Sequence, residues 1–235
     1  MDLTDPTRAV TSTLDGPVLA VLAQAGRPLT VGEVAAQAAR GSELGVRKSL
    51  SRLVGEGIVR ATQMGRNRVH ELNRAHVAAP VAELLAGLRL ELWRRLRETV
   101  AAWDPMPIYA CVFGSAARGD GGPDSDIDLL LVHPAFPGEA VPPQPEGTSW
   151  IEVAAAFVGI VANMASTEPV DQPAWDRQVD QLHGFVAEWT GNRLQVVDLG
   201  FYEWYAPPEE TRALLEEVKA ANVALIAPIM KPTSG

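Results

Sequence analysis

The sequence predicts a two-domain chain of the α/β (α+β) class, an N-terminal helical unit closed by a hairpin and then a long helix leading into a small mixed sheet with flanking helices. Three observations carry this. The 235 residues suffice for one large or two small domains. Charge divides along the chain: residues 1–80 hold ten Lys/Arg against seven Asp/Glu, whereas residues 81–235 hold ten against twenty-two. Aromatic residues divide too, all fourteen lying between Trp93 and Tyr205. The expected boundaries are 1–80, a connecting helix 81–104, and 105–235.

Composition excludes several classes. Apolar residues make up 47% and charged residues 21%, ordinary for a globular chain and unlike a disordered or fibrous one. The single cysteine, Cys111, rules out an internal disulfide and any thiolate cluster, so a metal would bind oxygen or histidine. No run approaches ~18 uncharged apolar residues, and MDLTDPTRAV has neither the basic nor the apolar part of a secretion signal. The expectation is a cytoplasmic protein with no membrane partner.

In residues 14–25 (LDGPVLAVLAQA), Leu14, Val18, Val21, Leu22 and Ala25 recur at helical spacing, and Gly26 with Pro28 stops the helix. Thr30 and Glu33 form a capping-box pattern before a short second helix. Ser42 caps a third helix over 43–55, with Leu44, Leu50, Leu53 and Val54 inward and Arg47, Lys48, Ser49 and Arg52 on the remaining surface. Ile58 to Arg60, a polar tip Gly65-Arg66-Asn67-Arg68, and Val69 to Leu72 read as a two-stranded hairpin. The phrase LTVGEVAAQAARGSELGVRKSLSRLVGEGIV resembles the winged helix-turn-helix domains of bacterial regulators. That resemblance implies binding of duplex DNA through Arg47, Lys48, Ser49 and Arg52 on the third helix and Arg66 and Arg68 on the wing. Eight Lys/Arg against three Asp/Glu over residues 40–74 make a modest phosphate footprint. The alternative is a unit that only packs on the second domain or mediates a homodimer, with these arginines as solvated surface.

Residues 81–103 place Leu84, Leu85, Leu88, Leu92, Leu96 and Val100 on one stripe, and Asp104-Pro105-Met106-Pro107 ends that helix. Ile108 to Phe113 is a strongly apolar run fit for a buried strand. It breaks at Gly114-Ser115 and leads through Arg118-Gly119 to Asp126-Ile127-Asp128 and LLLV. Alternation along a strand puts Asp126 and Asp128 on one face, an anionic pair that needs a cation between them. Magnesium, held by one or two carboxylates plus water and phosphate oxygens, fits that need. Gly114 and Ser115 sit where phosphate can approach the backbone and a hydroxyl.

The phrase FGSAARGDGGPDSDIDLLLV resembles the signature of minimal nucleotidyltransferases of the DNA polymerase beta superfamily. By that resemblance Gly114 and Ser115 cradle the nucleotide phosphates and Arg118 lies beside them. Asp126 and Asp128 bind two Mg2+ ions that align the α-phosphate of a nucleoside triphosphate for attack by an acceptor hydroxyl. The resemblance also implies a third carboxylate on a later strand. Residue type points to Asp198 in RLQVVDL, as metal ligand or base, whereas distance from the strand start points to Gln195.

Beyond the second strand come a proline-rich loop (134–149), an apolar segment Trp150 to Met164, a helix 174–190, a helix over Pro207 to Ala221 and a short strand Val223 to Ile226. Trp204, Tyr202 and Tyr205 either wall a base pocket or pack in the core. The expected function is Mg-dependent nucleotidyl transfer to a hydroxyl of a small molecule or protein, coupled to a DNA-binding unit. The acidic second half disfavours a long nucleic acid as acceptor. The alternative is a DNA-binding regulator whose transferase-like domain senses nucleotide without turnover.

Overall fold

A computed structural model of the chain describes residues 1–136 and 171–226. They divide into two compact units, 1–92 with 121–124, and 93–120 with 125–226. The boundary at Leu92 falls inside the connecting helix. The loop 134–149 and the apolar segment 150–164 lie, but for residues 134–136, outside the described residues.

In the first unit three helices, α1 (Asp15–Gln24), α2 (Val31–Gln37) and α3 (Glu43–Gly55), precede a three-stranded antiparallel sheet of order β1-β3-β2. Its strands are β1 (Leu29–Thr30), β2 (Val59–Met64) and β3 (Asn67–Leu72). The capping box forms: Thr30 Oγ1 accepts from the Glu33 amide at 3.3 Å, and the Thr30 amide donates to Glu33 Oε2 at 2.7 Å. A hydrogen bond from Arg27, with those from Thr30, lowers the Glu33 carboxyl to about 2. Val18, Leu22, Val34, Leu50 and Leu53 meet Ile58 and Leu72 in one core. Leu44 departs from the expected inward face, being 62% exposed; Val46 and Ser49 point inward instead. The helical stripe of α3 is therefore offset from the one that leucines alone mark out.

The connecting helix, α4 (Ala79–Ala101), has two characters. Leu92, Leu96 and Val100 are buried, but Leu84 is 71% exposed and Leu85 and Leu88 only half-buried, so the apolar stripe is fully covered only along its second half.

The second unit is built on a four-stranded mixed sheet of order β6-β5-β4-β7: β4 (Tyr109–Phe113), β5 (Ile127–His133), β6 (Leu194–Gly200) and β7 (Val223–Ile226). β4 is antiparallel to both β5 and β7, and β5 is parallel to β6. β5 is a central strand, and its continuous run Leu129 to Val132 is fully buried on both faces. Helices α5 (Gly114–Arg118), α6 (Gln172–Thr190), α7 (Phe201–Tyr205) and α8 (Glu209–Ala220) complete the unit. On one face Tyr109, Cys111, Leu130, Val132 and Leu199 pack with Leu215 and Val218 of α8. Trp204 and Tyr205 pack against that cluster, with the Trp204 ring 4.9 Å from Tyr109, which is the core role for these aromatics. Cys111 is buried there, and burial pushes its thiol up to about 11, against a hydrogen bond from Tyr109. Among the described residues no helix is long and apolar enough to cross a membrane.

Candidate functional site

The site begins where β4 ends. Every residue of β4 is buried, and its last, Phe113, pairs with Asp128 on β5. The next residue, Gly114, has φ +64, and a Cβ there would lie 2.3 Å from Asp128 Oδ2. No other residue fits: the backbone is left-handed, and the carboxylate occupies the space a side chain would take. Asp128 is thus pressed directly against the bend. The half-buried Ser115 follows, and α5 closes after Arg118 at Gly119, φ 77, whose amide donates to the Ser115 carbonyl at 2.9 Å.

The approach to Asp126 is fixed from outside the motif. The buried Asn192 donates through Nδ2 to the Ser125 carbonyl at 2.9 Å, and the Ile127 amide donates to the Arg193 carbonyl at 2.8 Å. Asn192, just past the glycine that ends α6, is a support that the sequence does not flag.

Charge around the bend is unbalanced. Burial raises the Asp128 carboxyl above its ordinary value, the charges of Asp126 and Glu217 raise it further, and Arg118 opposes them. Arg118 is itself engaged: Nε donates to Asp120 Oδ2 at 3.2 Å and Nη1 to Glu217 Oε1 at 3.4 Å. The Asp120 hydrogen bond is the first reason its proton is held more firmly than usual. Asp120 and Glu217 thus hold the guanidinium, whose charge also reaches Asp128. A divalent cation suits this donor set of hard oxygens. Among the described residues no three His, Cys, Asp or Glu side chains gather to hold an ion, so a metal here would take Asp126 and Asp128 and fill its shell with water and phosphate oxygens.

Asp198 lies elsewhere. In the parallel ladder Asp128 is level with Gln195, while Asp198 is level with Leu131. Paired residues share a face and neighbours alternate, so Asp198 projects from the face opposite Asp128. It accepts a hydrogen bond from the Trp175 indole of α6 at 2.7 Å. Desolvation raises its carboxyl, with that hydrogen bond and His133 working the other way. The structure brings Gly114, Ser115, Arg118, Asp126 and Asp128 together and leaves Asp198 out. The acid that does enter their field is Glu217, on α8. Nothing in the local pattern EETRALLEEVKAA distinguishes it from its neighbours.

The basic residues of the first unit divide as well. Ser49 is buried and donates to Asp15 Oδ1 at 2.6 Å, while Arg52 pairs with Asp15 Oδ2 at 2.7 Å. Burial of Asp15 opposes its charge, yet the hydrogen bonds from Ser49 and Arg52 prevail and hold its carboxyl below the usual range. Ser49 is thus a packing residue and Arg52 is tied to α1. Arg47 pairs with Glu43 at 3.0 Å on the helix surface. Lys48, Arg66 and Arg68 are exposed and make no ion pair among the described residues.

Residues 93–180 match the family model of a nucleotidyltransferase domain. The span holds Gly114, Ser115, Arg118, Asp126 and Asp128 and ends before Asp198 and Glu217. Over it the chain is similar to domains that move a nucleotidyl group, for which a nucleoside triphosphate is the substrate class. No curated protein matches the chain.

Proposed function

We propose that the protein is a Mg2+-dependent nucleotidyltransferase that moves a nucleoside monophosphate from a nucleoside triphosphate to a hydroxyl of a small molecule or protein. The observation that carries this is the Asp128 carboxylate seated against the side-chain-free bend at Gly114, with Asp126 beside it. Asp126 and Asp128 would hold two magnesium ions; bound there, magnesium supplies neutralisation of phosphate charge and alignment of the α-phosphate with the acceptor oxygen. Gly114 leaves room at the bend for the Asp128 carboxylate itself. Ser115 Oγ donates to a phosphate oxygen, and Arg118 adds the positive charge that stays with the departing pyrophosphate. A bond forms from the acceptor oxygen to the α-phosphorus, the bond to pyrophosphate breaks, and the acceptor proton leaves to solvent or a base.

The test is incubation with each labelled triphosphate and Mg2+, beside an Asp126→Asn, Asp128→Asn double variant. Transfer or binding in the parent and loss in the variant is expected; equal, equally metal-dependent binding in both rejects the site.

Asp198 favours a second reading. Its hydrogen bond from Trp175 and its register on the other face support a domain that binds nucleotide without turnover. Pyrophosphate release over time separates the two readings, since a sensor binds Mg-nucleotide and releases none.

For the first unit we propose duplex DNA as partner, a reading supported by the order of three helices and a hairpin and by the free cations Lys48, Arg66 and Arg68. Replacing these three by Ala should weaken binding and flatten its salt dependence by roughly one unit of log-log slope per lost phosphate contact. Unchanged affinity would leave packing or dimerisation as the role of this unit.

A further inference from the structure

The second carboxylate on Arg118 has no place in the reading above. Glu217 comes from α8, 99 residues further along the chain, and its Oε1 meets Arg118 Nη1 at 3.4 Å while Asp120 takes Nε at 3.2 Å. Arginine has five donors in a rigid plane. Two are spent on these carboxylates, and Nη2 has no protein partner among the described residues. The guanidinium is therefore gripped on two edges while its third stays open, and it lies close enough to Asp128 to act on that carboxyl.

We propose that Glu217 is a positioning residue for nucleotide binding, one that, with Asp120, orients Arg118 so that its free edge faces the triphosphate. This rests on the nucleotidyl-transfer reading and goes beyond it by bringing a residue of the last helix into substrate recognition. The hydrogen bond that the structure gives Glu217 is to the Arg118 guanidinium. It acts through Arg118. An unrestrained arginine would lose its rotamer freedom when the phosphate binds; one already held has lost it beforehand, and ordering one such side chain is worth roughly two- to ten-fold in affinity.

Charge alone predicts the opposite outcome, which makes the idea testable. Removing an acid near an anion-binding site should tighten nucleotide binding, whether by Glu217→Gln or Glu217→Ala. Positioning predicts that Glu217→Ala weakens binding roughly three-fold, whereas Glu217→Gln, whose amide oxygen still accepts from Nη1, stays near the parent.

Calorimetric titration of the full chain with ATP, GTP, CTP and UTP, each with Mg2+, identifies the tightest, which is then titrated into both variants, Arg118→Ala and the double variant Arg118→Ala, Glu217→Ala. The Glu217→Ala effect should vanish in the Arg118→Ala background. The Arg118 Nε–H resonance of the nucleotide-free protein should broaden or shift in Glu217→Ala and not in Glu217→Gln. Glu217 is exposed on a helix, so Ala leaves the fold intact. If the parent binds nucleotide but the effects add, or both substitutions tighten binding, the positioning role is refuted and the site stands. If the parent binds none of the four, the site itself falls and this inference with it.

Discussion

Replacing Asp128 by Asn should make the protein more stable and unable to bind its nucleotide. The two follow from one cause. Asp126 lies just ahead of β5 and Asp128 within it, two residues apart and so at most about 7 Å apart along the chain, and at an effective dielectric of ~20 two unit charges at that distance repel by roughly 2 kcal/mol. Partial exposure and salt reduce this to about 1 kcal/mol. The carboxyl of Asp128 is raised by burial first and by Asp126 and Glu217 next, so its folded value lies above its unfolded one. A group raised in this way costs stability once ionised: the native state binds more protons than the unfolded state across the interval, and stability falls as pH rises through it. Asn has the same shape and no charge. In metal-free buffer at neutral pH, Asp128→Asn should raise Tm by about 2–4 °C, and the gain should shrink as pH falls and the parent's Asp128 takes up its proton. With Mg2+ and nucleotide at a hundred times Kd the parent gains about 2.7 kcal/mol and the variant nothing, so the order of the two Tm values reverses. Differential scanning fluorimetry in four conditions, with and without ligand at neutral and acidic pH, checks this. A lower Tm for the ligand-free variant, or a ligand shift equal to the parent's, refutes the argument.

Gly114→Ala would thrust a methyl to 2.3 Å from Asp128 Oδ2 at φ +64, costing on the order of 1–3 kcal/mol and abolishing nucleotide binding; parent-like denaturation and affinity would show that the bend tolerates a side chain. Arg40→Ala leaves the buried Asp5 carboxylate, now met by Arg40 Nε at 2.5 Å, without its cation, and it frees the Thr11, Ser12 and Thr13 carbonyls. A loss of about 3–5 kcal/mol in urea denaturation is expected, and a loss under about 1 kcal/mol would mean water replaces that network. Asp198→Asn should leave nucleotide affinity and any turnover as in the parent, because the side chain is on the far face of the sheet. A hundred-fold fall in turnover at constant affinity would instead make Asp198 the base.

Local patterns were legible in the sequence and non-local pairings were not. The capping box, the strand runs and the glycine bend each need only neighbours within a few residues, and each is read directly from spacing; of the aspartate pair expected on one strand face, Asp128 lies in β5 and Asp126 just ahead of it. Leu44 and Leu84 failed the same logic because helical periodicity locates an apolar stripe without saying how much of it another element covers. Helical spacing puts Ser49 on the surface; its burial depends on Asp15, 34 residues earlier. The orientation of Asp198 depends on the β5–β6 register, which Leu131↔Asp198 fixes and which no feature of RLQVVDL contains. Glu217 reaches Arg118 only because α8 folds back onto the sheet.

The two aspartates on opposite faces of one sheet show what separates a reactive carboxylate from a structural one. Both have raised carboxyls, although Asp128 is half-buried and Asp198 exposed. Asp198 is answered by the protein itself: an indole N–H donates to it at 2.7 Å and His133 favours its charge. Asp128 has no such answer. Its charged neighbours are two more carboxylates and an arginine already shared between Asp120 and Glu217. A half-buried carboxylate met by like charges carries a cost that its contact with water only reduces; a divalent cation at Asp128 would offset it, which is the role the proposed function gives to magnesium.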